Sequence, residues 1–113
     1  MLWNMHSDPI VVNIDFNPAT IGNNTVITGI SGTSLFIRGL AVTVDGAAVL
    51  TFKSGSTALG TAKLAANGSF NLAEIPGADG EPFWKSKALG DSFIIQSDAA
   101  VRITGTCQYA TNS

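Results

Sequence analysis

The sequence holds one histidine, His6, and one cysteine, Cys107, and these are the first residues to weigh for chemistry. A cysteine beside a histidine can act as a nucleophile activated by a base. Cys107, however, falls in the alternating run Val101, Ile103, Gly105, Cys107, Tyr109, which reads as the apolar face of a strand. A buried cysteine behaves as a small hydrophobe. With a single histidine, clusters of histidine ligands around a metal are excluded. Asp79, Glu81 and Asp91 lie in or beside one long irregular stretch, where a carboxylate pair could do glycosidase work. Scattered among Gly and Pro, they read instead as solvated loop charges. The glycine-rich stretches do not lead into a helix, as phosphate-cradling loops do. No catalytic set, metal site or cofactor site emerges, and the chain is expected not to be an enzyme.

The elements that would position any site are strands. The chain is 113 residues long, which suits one domain with one core. Eight β-rich runs are separated by turn residues. They extend from Ile10 to Phe16, Thr25 to Ile30, Ser34 to Val44, Ala48 to Lys53, Ala58 to Ala65, Ser69 to Ala73, Ser92 to Gln96 and Ala100 to Ala110. Turns are expected at Gly22-Asn23-Asn24, at Asp45-Gly46 as a hairpin, at Ser54-Gly55-Ser56, and at Asn67-Gly68 as a type I′ hairpin. The third run breaks alternation, with Leu35, Phe36 and Ile37 consecutive and Leu40, Ala41 and Val42 likewise. Such a strand is expected to be buried on both faces, with Gly39 marking a bulge or a close backbone approach. The fold expected is all-β, an eight-stranded jelly-roll sandwich over residues 9–113, preceded by an N-terminal arm, residues 1–8. The alternative is an immunoglobulin-like β-sandwich, although the Cys and Trp landmarks of that fold are absent.

Composition narrows the partners. Charged residues are 12% of the chain, against about 25% in an ordinary soluble domain, and the net charge is −2. So little charge points to a surface partly covered by other subunits. The six Lys and Arg residues are scattered singly, so no nucleic-acid surface is expected. No run of ~20 apolar residues is present to span a membrane. The first residues lack a basic segment followed by an apolar one, and Cys107 has no intrachain partner, so folding in a reducing cytoplasm is expected.

Three groups of residues are candidates for contact. Leu2, Trp3 and Met5 place apolar anchors in the arm, which suggests that it is ordered by contact with a partner or its own domain. Phe83 and Trp84, in the long stretch from Ile75 to Gly90, either cap the open end of the sandwich or stack on a glycan. Phe36, Arg38 and Leu40 are read as subunit interface. Arg38, inside the most apolar run, needs a counter-charge, and Asp45 or Asp98 of a neighbouring subunit are candidates.

The strings Leu35-Phe36-Ile37-Arg38-Gly39-Leu40 and Val49-Leu50-Thr51-Phe52-Lys53-Ser54-Gly55-Ser56-Thr57-Ala58-Leu59 resemble small virion proteins of tailed bacteriophages. So do Gly90-Asp91-Ser92-Phe93-Ile94-Ile95 and the closing Val101-Arg102-Ile103-Thr104-Gly105-Thr106-Cys107-Gln108-Tyr109. That group includes capsid decoration (cement) proteins and head-fibre or tail-spike modules. The resemblance implies a jelly roll, commonly a homotrimer, on the virion surface after synthesis in the host cytoplasm. Its partners would be further copies of itself and the major capsid protein. Under the alternative, a fibre head binding a host glycan, a shaft would be expected. The chain starts at its own Met1 and stops three residues after its last predicted strand, which favours a stand-alone decoration protein.

Overall fold

A computed structural model of the chain describes residues 10–72 and 84–112. The arm residues Leu2, Trp3 and Met5, together with His6, Asp79, Glu81 and Phe83, lie outside the described residues. The described residues form nine strands: β1 (Ile10–Phe16), β2 (Gly22–Ile27), β3 (Ser34–Val44), β4 (Ala48–Ser54), β5 (Thr57–Leu64), β6 (Ser69–Leu72), β7 (Trp84–Lys85), β8 (Phe93–Ser97) and β9 (Ile103–Asn112). One antiparallel sheet runs β1-β9-β3-β6, with β7 also on β3, and the other runs β2-β8-β4-β5. The all-β sandwich is as expected. With the short β7 set aside, the ladders β1·β9, β2·β8, β3·β6 and β4·β5 are those of one long eight-stranded hairpin. Rolling that hairpin up adds the pairs β9·β3 and β8·β4, the strand order of two joined Greek keys that a jelly roll has.

This connectivity corrects two turns. Asp45-Gly46 and Asn67-Gly68 do not close hairpins, because β3 and β4, and likewise β5 and β6, lie in different sheets. Neither residue of Asp45-Gly46 has positive φ, and in the second turn Asn67 alone does, at 63°. A type I′ turn needs positive φ at both central residues. The Asn67 turn is closed by Gly68 N donating to Ala65 O at 2.8 Å. The hairpin that does form joins β4 to β5 through Gly55-Ser56, with Gly55 at φ 57°.

β2 also differs from expectation, beginning at Gly22 and ending at Ile27. Asn24 is buried within it, and its carboxamide takes over the role of a turn. Oδ1 accepts from Thr20 N at 2.8 Å, while Nδ2 donates to Thr20 O at 2.9 Å and to Ile95 O at 3.2 Å. Buried, this side chain is satisfied only by tying the preceding loop to β8.

The broken alternation of β3 has a geometric origin. Its register on β9 slips between Ile37 and Gly39, leaving Arg38 as the extra residue of a bulge. The bulge inverts the side-chain phase, so Leu35 and Ile37 before it and Leu40, Val42 and Val44 after it all face the core. The strand is therefore not buried on both faces along its whole length, since Thr43 is exposed. Leu40 is 3% exposed, within the core of its own chain.

Phe52, Leu50, Ile95, Ile103, Val42, Val44 and Cys107 are fully buried between the sheets. Each large apolar side chain so buried stabilises the fold by roughly 1.5–3 kcal/mol. At one margin of the core Phe52 packs on Phe70, with centroids 5.0 Å apart, and on Trp84 at 5.4 Å. Trp84 lies over Gly60, where a Cβ would meet the indole Cζ2 at 2.9 Å.

Strands β9 and β3 approach closely at Gly105. Gly105 has φ 156°, and a Cβ there would run into the carbonyl of Ala41. Gly105→Ala is therefore expected to lower stability by at least about 2 kcal/mol, read as a reduced urea midpoint. An unchanged midpoint would show that the β3·β9 ladder can shift to admit a methyl.

Candidate functional site

Strand direction gathers the same set of segments at one end of the sandwich. The start of β1, the β2–β3 connection, the β4–β5 turn, the β7–β8 connection and the end of β9 all lie there. Polar contacts join the three middle segments. The Ser54 hydroxyl, in a residue 3% exposed, donates to Asp91 Oδ2 at 2.6 Å and accepts from Lys87 N at 2.9 Å. Asp91 Oδ2 also accepts from Ala88 N at 3.2 Å. Ser92 Oγ accepts from Gly29 N at 2.8 Å, and Ser92 O accepts from Gly55 N at 2.9 Å. Ser86 Oγ accepts from Leu35 N at 2.8 Å, and Gly90 N donates to Thr33 O at 2.9 Å. Gly29 lies so close to Gly90 that a Cβ would collide with its carbonyl.

Ile30 and Leu89 project from this hydrogen-bonded base, 58% and 65% exposed. Ile10 and Val11, at the start of β1, are 47% and 58% exposed at the same end. Four of the five large hydrophobics exposed among the described residues thus share one end, and only Ile21 lies at the other. The sequence reading singled out none of these four. Their strand periodicity or loop position says nothing about which end of the fold they occupy.

The predicted site residues separate. Trp84 is half-buried and packs against Phe52 and Phe93 at the core margin. Phe36 is 3% exposed, with the Lys85 ammonium 5.8 Å from its ring centroid. Arg38 borders a shallow groove of about 260 Å³ on the outer face of the first sheet, with Asn71, Thr106 and Gln108. Asp45 and Asp98, its candidate counter-charges, are used within the chain. Asp45 Oδ1 accepts from Arg102 N and Asp98 Oδ1 from Val49 N, each at 2.8 Å.

Ser54 and Asp91 form a hydroxyl–carboxylate pair, but the hydroxyl is buried and serves the loop backbone. Among the described residues no group of three or more His, Cys, Asp or Glu could hold a metal ion. Cys107 is buried in the core, and desolvation pushes its thiol up from 9.0 to about 12.

Two outcomes follow. Asp91→Ala removes the acceptor for Ser54 and Ala88, and a cost of roughly 1–3 kcal/mol is expected in chemical denaturation. A loss confined to a few tenths would show that the three connections hold without the carboxylate. For Cys107, the unfolded chain gives up the thiol proton near 9 while the folded chain keeps it to about 12, so this group's contribution to stability declines as pH rises through that window. A thiol reagent at about pH 8 should leave the folded protein unlabelled and label it in urea. Labelling at equal rates in both would contradict the burial of Cys107.

Compared with family models, curated proteins and solved structures, the chain finds no match in any of the three.

Proposed function

We propose that the chain is a non-catalytic assembly protein, a decoration protein that binds the outer surface of a tailed-phage capsid and stabilises the shell. The observation that carries this reading is the exposure of Ile30 and Leu89 at one end, on connections tied together by hydrogen bonds. Exposed apolar side chains on a preorganised base lose little entropy on docking, and proteins that stay alone keep such exposed apolar surface small. The low charge of the chain fits a surface largely covered in the assembly. The major capsid protein is the proposed partner, and a ligand that binds only the assembled shell stabilises it by mass action. Self-association belongs to the same reading.

The alternative is a fibre head that binds a host glycan, but Trp84, its candidate stacking residue, packs on Phe52 at the core margin. A sugar site would have to be built from other residues.

The test is co-sedimentation with empty, undecorated tailed-phage capsid shells. Saturable binding of the native protein, weakened at least about tenfold by Ile30→Asp with Leu89→Asp, is the expected result. Both positions are exposed, so the double variant should unfold at the native midpoint. Failure of the native protein to sediment with the shells would overturn the proposal.

A further inference from the structure

Sheet edges expose unpaired backbone donors and acceptors, and proteins normally blunt them with bulges, Pro, Lys or short strands. Three of the described margins here are blunted. β6 and β7 have four and two residues. β2 is broken by a register slip at Val26. β5 slips at Leu59 and carries the exposed Lys63. β1 is different: its seven residues pair with β9 without a slip, and it contains no Gly, Pro or Lys. Among the described strands its outer edge therefore runs without a bulge along the margin of the first sheet, starting at the exposed Ile10 and Val11.

We propose that this edge is the contact between two copies of the chain, paired antiparallel across a two-fold axis at Asn13. Asn13 is the middle residue of β1, so this is the only register that pairs all seven residues. It is also complementary. On the outer face Asn13 meets Asn13 of the second copy, amide to amide, and Val11 meets Asp15. On the inner face Val12 meets Ile14 and Ile10 meets Phe16, so the two cores become continuous. No like charges are opposed. The two Asp15 carboxylates stand about 14 Å apart along the strands, further than screening reaches at physiological salt, and each is held by its own Arg102 at 3.2 Å. One seven-residue strand on each side makes a small interface, so the dimer dissociates on dilution. The inference does not rest on a virion role. It replaces the three-fold assembly implied by the resemblance with a closed two-fold pair.

The experiment is sedimentation or light scattering of the full chain over a dilution series, with two charge variants at the axis. The native protein should reach twice the 11.7 kDa of one chain at high concentration. Asn13→Lys and Asn13→Asp each bring like charges together at the axis and should each lower the dimer fraction at least tenfold. Mixing the two variants should restore it, because opposite charges then meet. Asn13 is exposed, so both variants should keep the native unfolding midpoint. A trimer, a monomer at every concentration, or a dimer indifferent to both substitutions would overturn the proposal. So would a dimer that forms only once residues 1–8 are removed, which would name those residues as the occupant of the edge.

Discussion

Ten residues of β3 lie against β9 at the centre of the first sheet, and their pairing slips by one residue at Arg38. Much of the structure depends on that ladder. On one side β9 carries β1, and on the other β3 carries β6 and β7. The slip lets a single strand place Leu35, Ile37, Leu40, Val42 and Val44 in one core, which a regular strand could not do. Near its middle the two backbones approach so closely at Gly105 that no side chain fits. The approach brings Cys107 and Ile103 under the opposite sheet, where they meet the Phe52 and Ile95 side of the core.

The connections show how little of such a fold is local. Among the described strands, only β4 and β5 are both consecutive and paired with one another. The other described connections all cross between the sheets, and their backbone groups must find partners outside a hairpin. Asn24, Asp45, Asp98, Asp91, Ser86 and Ser92 supply those partners. Short polar side chains suit this task because they reach main-chain donors with little loss of rotamer freedom. Asp91, weighed in the sequence as one of a carboxylate pair, is therefore part of the scaffold, as are Asp45 and Asp98, weighed as counter-charges for Arg38. The same bonds leave the base beneath Ile30 and Leu89 rigid.

The legibility of the fold followed the range of the interactions involved. The ends of β1 and β3 were readable because alternation and the flanking turn residues are local signals. Asp45-Gly46 and Asn67-Gly68 have hairpin composition, yet sheet assignment overrode it: a turn between two sheets accepts the same residues as a turn between two neighbours. The two residues of β7 became a strand only because β3 offers an open edge beyond β6. Trp84 was readable as a large apolar residue in an irregular stretch, but its inward direction depended on the space left by Gly60.

By itself the sequence determined the class of the fold, one core built from alternating strands, and the placing of Cys107 within that core. Periodicity and composition act residue by residue, so a chain can state them without knowing its neighbours. The tertiary structure decided which strands pair, where the bulge inverts β3, and that Ile10, Val11, Ile30 and Leu89 share one end. It also decided that β1, paired with β9 without a slip, lies at the margin of the first sheet among the described strands. Those outcomes depend on contacts between residues far apart in the chain, and no local pattern encodes which strand will lie beside another or which will lie at the margin.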